Sequence, residues 1–311
     1  MNTLWFIVFG ALAAAQVCAQ SRVTLSYLGT AGWEISDGKT VILIDPYLSR
    51  LKQVTPNDSI LDTDPRPAVA SGDVAKSDEA VIDAHIQRAG YILITHTHLD
   101  HSLDMPYIAR KTGAIVIGTE STVNLARASG VPDAQLMLAK GGEDFQFDTF
   151  SLRVIPSLHG VLRRAPNRSQ SAGRPRPLVF PADAEPPFRV DELFVEGGTL
   201  AYLLRIGGRQ ILAFGSMNYI EREVDGLRPD AALIGAMPER REIYDYTARL
   251  MRLLGYPRLV LPTHWDRFNV PYSVSQEPAI KRPQSFIAEV KAASPKSQVV
   301  VPEYFRPIQV E

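Results

Sequence analysis

Three histidines and one aspartate stand within six consecutive positions of this chain. His96, His98, Asp100 and His101 form the segment "HTHLDH", which follows the apolar run "YILI". In an extended segment alternate side chains point the same way, so His96 and His98 can face one cation. Asp100 and His101 come after the chain has turned and can face a neighbouring position. Zinc accepts imidazole nitrogen and carboxylate oxygen at roughly 2.0–2.2 Å, so the spacing predicts a metal site.

The mature chain is expected to offer no sulfur ligand to this site. Cys18 is the only cysteine, and it lies at the end of an apolar N-terminal stretch where Val17 and Ala19 fit the small-residue pattern of signal-peptide cleavage. Cleavage would remove residues 1–19, so nitrogen and oxygen must hold the metal. We expect Zn²⁺, one or two ions per chain, with Mn²⁺ or iron as alternatives, in an exported protein that is periplasmic or secreted.

The N-terminal stretch also leaves an alternative open, because it lacks the basic residues that usually start a signal peptide. If the stretch is not a cleaved signal peptide, it would be an uncleaved membrane anchor. After cleavage we expect no stable membrane insertion.

Composition narrows the class of partner. The 311 residues are 45% hydrophobic and 22% charged, with a formal net charge of −1, which is ordinary for a globular protein. A balanced charge gives no global attraction to nucleic acid or to an anionic membrane. We therefore expect a small-molecule substrate and no nucleic-acid partner. The sequence does not indicate an oligomeric state.

Strand-like and helix-like segments surround the histidine segment and must position it. Apolar β-branched runs predict strands, and helical spacing with terminal glycines predicts helices between them. The pattern favours an α/β class with two β-sheets packed together and helices outside. Residues 20–311 are predicted to form a single domain, with polar, proline-containing insertions at about 49–78 and 160–198. The predicted strands include 23–29, 40–48, 91–95, 114–118, 135–139, 150–157, 199–206, 209–215, 231–236, 258–262 and 298–303, and the predicted helices are 79–90, 121–130, about 241–254 and about 283–293.

The motif HxHxDH after an apolar strand resembles that of the metallo-β-lactamase superfamily. The N-terminal segments "LGTAGWEI" and "VILIDPYL" are similar to the opening of the branch that contains ascorbate-phosphate lactonases and N-acylethanolamine phospholipase-like enzymes. The resemblance implies a four-layer αβ/βα sandwich of two mixed β-sheets with helices outside. It also implies a metal-dependent hydrolase that attacks an ester-type bond, a lactone or a phosphodiester, with a metal-bound hydroxide.

The same resemblance implies two further histidine ligands near strand ends. "VIPSLHG" supplies His159 and "LVLPTHW" supplies His264. In the superfamily arrangement two metal ions lie roughly 3.5–4 Å apart. Asp100 would be both a ligand and the catalytic residue that orients the attacking water and passes its proton to the leaving group. The implied ligands are His96, His98 and His159 for one ion, and Asp100, His101 and His264 for the other.

One ligand that most hydrolytic members share is missing here. In "ILAFGSMN", Ser216 stands where those members have a bridging aspartate. A neutral hydroxyl bridges two cations poorly, so we expect a weaker second site, with Asn218 or a water as compensation. A subclass of metallo-β-lactamases also lacks the bridging aspartate, which keeps β-lactam hydrolysis open as an alternative. A non-catalytic metal-binding or scaffolding protein, which binds a partner through residues 160–198, is the other alternative.

Several residues beside the predicted site are candidates for support or substrate contact. Asp45 in "LIDPY" resembles an aspartate that supports a ligand histidine, and the alternative is a turn residue at a strand end. Tyr47, Asn218, Trp265 and Asp266 adjoin site elements and are either pocket-lining residues or ordinary loop residues.

The arginine-rich part of the second insertion is a candidate for anion recognition. Arg163 and Arg164 are the first two of five arginines between positions 163 and 176. Guanidinium groups pair with phosphate or carboxylate, so these residues predict an anionic substrate. A solvated loop is the alternative.

Overall fold

A computed structural model describes residues 22–53, 64–160, 178–277 and 279–311. The predicted signal peptide, together with Arg163 and Arg164, lies outside these ranges. Within them, no helix combines the length and apolar character needed to cross a bilayer.

The first sheet has seven strands in the order β14-β1-β2-β3-β4-β5-β6. Its first four strands pair antiparallel, and β3 to β6 pair parallel. Because β3 and β4 are parallel, their carboxyl ends lie side by side. Asp45 follows β3, and the histidine segment follows β4. The strands are β1 Val23–Gly29, β2 Gly32–Ser36, β3 Val41–Ile44, β4 Tyr91–Leu93, β5 Ile115–Gly118, β6 Leu136–Leu138 and β14 Pro307–Val310.

The second sheet also has seven strands, in the order β13-β12-β11-β10-β9-β8-β7. Strands β7 to β10 pair antiparallel and β10 to β13 pair parallel, so β8, β10 and β12 end at the same edge. Gly207 and Gly208, both with positive φ, close the predicted hairpin between β9 and β10. The strands are β7 Asp144–Gln146, β8 Phe150–Ser157, β9 Thr199–Ile206, β10 Arg209–Phe214, β11 Ala231–Gly235, β12 Leu259–Thr263 and β13 Gln298–Val299.

Helices cover the outer faces of both sheets. On β4, Leu93 packs in the core between the sheets while its neighbour Ile92 packs towards the helices, with Ile82 and Ile108. Burial on both faces explains why the parallel strands are continuously apolar. The predicted sandwich of two mixed sheets with outer helices is therefore confirmed. The helices are α1 Glu79–His85, α2 Leu99–Ser102, α3 Met105–Thr112, α4 Glu120–Ala128, α5 Glu221–Val224, α6 Tyr246–Leu253 and α7 Lys281–Ala293.

Two helices differ from the prediction by about five residues at one end. The helix predicted over 79–90 ends at His85, because Ile86 is extended and Gly90 already donates its N–H to Val41 at the start of β3. The helix predicted from about 241 begins at Tyr246, and the residues before it form a short 3₁₀ turn that opens with Pro238.

Candidate metal centre

Five strands of the two sheets end at one edge of the sandwich and deliver polar residues there. Asp45 follows β3, Thr95 follows β4, His159 follows β8, Ser216 follows β10 and His264 follows β12. In open α/β sheets the carboxyl ends of strands are where ligands bind. Because these strands come from different parts of the chain, the fold brings together residues that are far apart in sequence.

Six of the predicted residues lie together as two adjacent triads. In each triad the potential ligand atoms lie within 4.8 Å of one another. The ring centroids of His96 and His101, one from each triad, are 3.9 Å apart, so the triads are neighbours. The first triad is His96, His98 and His159, and the second triad is Asp100, His101 and His264.

The first triad offers neutral nitrogen to a cation. His96 is buried, and burial, followed by the charges of the neighbouring histidines, holds its pKa well below the ordinary value. The Thr95 hydroxyl lies 3.2 Å from His96 Nδ1, while His96 Nε2 is buried and has no hydrogen-bond partner among the residues that the structure describes. A buried polar atom without a partner is costly. A cation between the three imidazoles would satisfy it.

The second triad contains a carboxylate and is buried throughout. Asp100 Oδ2 lies 3.3 Å from His264 Nε2 and 3.7 Å from His101 Nε2. Burial alone would raise the pKa of Asp100, but His101 and His264 hold that pKa below its usual range. Burial alone would lower the pKa of His101, but the carboxylates of Asp100 and Asp45 raise it above its ordinary value. A cation here would be held by the Asp100 carboxylate together with the two imidazoles.

Asp45 orients His101 through Nδ1, the ring nitrogen that does not face Asp100. Its fully buried carboxylate accepts hydrogen bonds from His101 Nδ1 at 2.9 Å, the Thr95 hydroxyl at 2.6 Å and the Thr95 N–H at 2.7 Å. This fixes the imidazole so that Nε2 faces Asp100, the arrangement that supports a metal-binding histidine. A Cβ at Gly215 would overlap the Thr95 hydroxyl, so the end of β10 needs glycine to admit this cluster.

Ser216 and Asn218 contact the segment that carries His159. The Ser216 hydroxyl donates to the main-chain oxygen of His159. The Asn218 side-chain amide donates to the main-chain oxygen of Gly160 at 2.9 Å, and Ser157 donates to that of Asn218 at 3.1 Å. The hydroxyl expected at a bridging position is therefore engaged with the backbone beside the first triad.

Tyr47 and Trp265, expected as substrate contacts, are core residues instead. Tyr47 is fully buried and its hydroxyl accepts a hydrogen bond from the Leu51 N–H at 2.8 Å. Trp265 is buried, with its ring stacked 6.2 Å from that of Tyr27. Because both side chains are buried, a direct substrate contact does not fit this geometry.

Three residues at the site had not been predicted. The half-buried ring of Phe194 lies 5.9 Å from that of His98, and the ring of Phe268 lies 6.3 Å from that of His264. Glu196 is exposed, and its main-chain oxygen accepts a hydrogen bond from the N–H of Thr97, which stands between His96 and His98, at 3.0 Å. All three stand in loops as single residues, where neither periodicity nor a motif distinguishes them.

Comparison with known proteins gives the site a context. A family model described as a β-lactamase superfamily domain matches residues 24–264, which include both triads. A protein of Myxococcus xanthus named UPF0173 metal-dependent hydrolase is 27% identical over 296 residues, covering 94% of this chain and 85% of the relative. A protein of Oenococcus oeni with the same name is 31% identical over 146 residues. That match covers 46% of this chain and about half, 52%, of the relative.

A solved structure shares the architecture. Igni18, a metallo hydrolase from the archaeon Ignicoccus hospitalis, superposes with a TM-score of 0.59 at 18% identity, covering 93% of this chain and 99% of the other. This likeness shows the fold. The assignment to a family comes from the match over residues 24–264.

Proposed function

The chain belongs to the family of the β-lactamase superfamily domain and is a metal-dependent hydrolase of that superfamily, and from this premise we propose that it hydrolyses an ester-type bond, a lactone or a phosphodiester, with Zn²⁺. The observation that carries the metal assignment is the buried Nε2 of His96, which has no partner in the described ranges and is enclosed with His98 and His159.

The donor set fits one or two zinc ions. Three imidazoles, or two imidazoles and a carboxylate, are ligand sets that zinc accepts in tetrahedral geometry. Imidazole and carboxylate also suit manganese and iron, which stay alternatives. The first triad would hold one ion and the second triad a second ion. Adjacent triads of this kind suit catalysis that uses two metals.

The chain's own residues would provide proton transfer and orientation. A bound zinc ion supplies Lewis acidity and lowers the pKa of water towards neutrality. Asp100 carries the charge needed to accept a hydrogen bond from the attacking water, because His101 and His264 keep its pKa low. As the water attacks, Asp100 takes up the proton that the water loses, and it then gives this proton to the leaving group. Asp45 holds His101 in place during these steps.

The described rim of the site suggests a substrate with an apolar part beside the reactive bond. Phe194 flanks the first triad and Phe268 flanks the second. Apolar walls with a few polar groups are typical of small-molecule sites. Arg163 and Arg164 remain the proposed contacts for an anionic group. An acyl lactone and a phosphodiester with an apolar substituent both fit this proposal.

β-Lactam hydrolysis is the second candidate. The observation in its favour is Ser216, which leaves the strand end without a bridging carboxylate. A non-catalytic metal-binding or scaffolding role is the remaining alternative, and the hydrolase names of the relatives weigh against it.

A substrate panel tests these candidates. Zinc-loaded protein is assayed with acyl-homoserine lactones and bis-p-nitrophenyl phosphate, and in parallel with nitrocefin and imipenem. We expect lactone or phosphodiester turnover that disappears in His98→Ala. Nitrocefin turnover without the other activities would favour a β-lactamase, and retained zinc without any hydrolysis would favour the non-catalytic role.

We also propose export through residues 1–19. N-terminal sequencing of the protein from a periplasmic or culture-medium fraction should give Gln20 as the first residue. An intact N-terminus in the membrane fraction would favour the uncleaved anchor.

A further inference from the structure

A buried carboxylate lies two residues after the histidine that completes the second triad. Asp266 is fully enclosed and accepts four hydrogen bonds from three other segments of the chain. A buried charge is tolerated only when it is paired and its lone pairs are satisfied, and here both conditions are met. The donors to Asp266 are the Thr30 N–H at 2.9 Å, the Tyr27 hydroxyl at 2.9 Å, Arg50 Nη2 at 2.8 Å and the Tyr304 hydroxyl at 2.7 Å.

The Asp266 contacts fix the turn on which His264 stands. His264 has φ of 55° and Thr30 has φ of 56°, a left-handed conformation that non-glycine residues seldom adopt. The His264 N–H donates to the Thr30 carbonyl at 2.6 Å, and the Thr263 hydroxyl donates to the same oxygen at 3.1 Å. Thr30 is therefore held by Asp266 at its N–H and by His264 at its carbonyl. Such backbone conformations persist where surrounding contacts over-determine them.

Arg50 ties this turn to the rest of the domain. Its fully buried guanidinium pairs with Asp266, and Arg50 Nε donates to the Val270 carbonyl at 2.6 Å. The Tyr272 ring lies 4.9 Å beneath the Arg50 guanidinium. A Cβ at Gly29 would overlap Arg50 Nη1, so glycine is required where β1 meets this cluster.

We propose that Asp266 and Arg50 are positioning residues for the second triad. The pair locks the turn that aims His264 Nε2 at Asp100, and so determines the affinity for the second metal ion. This inference rests on the proposed binding of that ion by the second triad. The histidines of the first triad stand on other segments, after β4 and β8, so loss of the pair should weaken the second ion selectively.

A second buried arginine cluster provides a matched control. The carboxylate of Glu289 on α7 also accepts four hydrogen bonds, and its main partner Arg240 is fully buried. No residue of either triad lies in these segments. Its donors are Arg240 Nε at 3.0 Å, Arg240 Nη2 at 2.7 Å, Arg241 Nε at 3.2 Å and the Thr247 hydroxyl at 2.8 Å.

The test compares metal affinities of full-length variants. Wild type, Asp266→Asn, Tyr304→Phe and Glu289→Gln are stripped with a chelator and titrated with Co²⁺, followed by its d–d absorption bands, and with Zn²⁺ in competition with an indicator. Loss of a group that orients a ligand typically weakens metal binding by about 10–100-fold, which we expect for the second ion in Asp266→Asn. Tyr304→Phe should weaken it less, and Glu289→Gln should leave both ions unchanged.

The outcomes separate this inference from the proposed function. Wild type that binds two ions, with Asp266→Asn folded and unchanged, would overturn the positioning role alone. Equal weakening in Glu289→Gln would also overturn it, because a general loss of stability would then explain the effect. Wild type that binds a single ion would overturn the two-metal proposal before any variant is measured, and the inference with it. If Asp266→Asn does not fold, Tyr304→Phe decides, and unchanged affinity for the second ion overturns the role.

Discussion

The two triads use similar residues but are held in place differently. In the first triad, His98 and His159 are half-buried, and within the described part of the chain the buried Nε2 of His96 has no hydrogen-bond partner. The second triad is buried throughout, and Asp45 fixes its His101 through a buried carboxylate. Strand geometry thus positions much of the first triad, whereas buried charges position the second. Substitutions of residues outside the triads should therefore affect metal binding by the second triad more than metal binding by the first.

The largest expected effect is removal of a ligand from the first triad. His96→Ala deletes the imidazole at the centre of the histidine cluster. His85→Ala is a matched control, because it removes an exposed imidazole that stacks on Phe305. Loss of a direct ligand should exceed the roughly 10–100-fold effect of changes behind a ligand. We expect one zinc ion fewer by elemental analysis and no measurable hydrolysis. Full zinc occupancy in His96→Ala would contradict the ligand assignment.

The next effect concerns the support behind the second triad. Asp45→Asn removes the charge that orients His101, so the affinity for the second ion should fall by about 10–100-fold while that for the first changes little. Competition titrations with zinc measure both affinities. Asp73→Asn is the control, because the exposed carboxylate of Asp73 also accepts a backbone hydrogen bond, from Ala70. Equal weakening of both ions would show that Asp45 supports the whole edge and not one triad.

The ligands in "HTHLDH" were predictable from their local spacing, whereas His159 and His264 were predictable only through the resemblance to the metallo-β-lactamase superfamily. His96, His98, Asp100 and His101 come from one short segment, and the apolar runs before His159 and His264 are strong strand signals. Strands β8 and β9 have the predicted bounds, 150–157 and 199–206, for the same reason.

Residues that act through distant partners gave no such signal. Asp266 was predicted only as a residue beside the site, because its partners Tyr27 and Arg50 lie 239 and 216 positions away. Helix α3 was not predicted, and it carries Pro106 in its first turn, where proline fits a helix. The edge strand β14 is short and is defined by its pairing with β1.

The next prediction is that substitutions of Ser216, which follows β10, change the affinity for one metal ion or the other. Ser216→Ala removes the donor to the His159 carbonyl, and a net hydrogen bond of about 1 kcal/mol corresponds to roughly fivefold weaker binding of the first ion. Ser216→Asp should instead raise the affinity for the second ion, because a carboxylate can bridge two cations. The same zinc titrations measure both variants. If neither affinity changes in Ser216→Asp, the side chain at 216 does not reach the space between the triads.

The smallest expected effect is a different pH dependence of the two ions. In the metal-free protein, burial keeps the pKa of His96 well below its ordinary value, so this ligand is already neutral near pH 7. The pKa of His101 is raised by Asp100 and Asp45 against the effect of burial, so below that raised pKa a proton must leave before the second ion binds. Lowering the pH should therefore weaken the second ion first, by roughly threefold relative to the first ion between pH 7.5 and 6.5.

Calorimetric titrations in buffers of different ionisation enthalpy measure this difference as protons released per ion. Asp45→Asn is the internal control, because loss of one of the two carboxylates that raise the pKa of His101 should reduce the proton release at the second triad. Equal proton release by both ions in the wild type would mean that the buried carboxylates do not distinguish the triads. The two triads would then differ only in how far their residues are exposed to solvent.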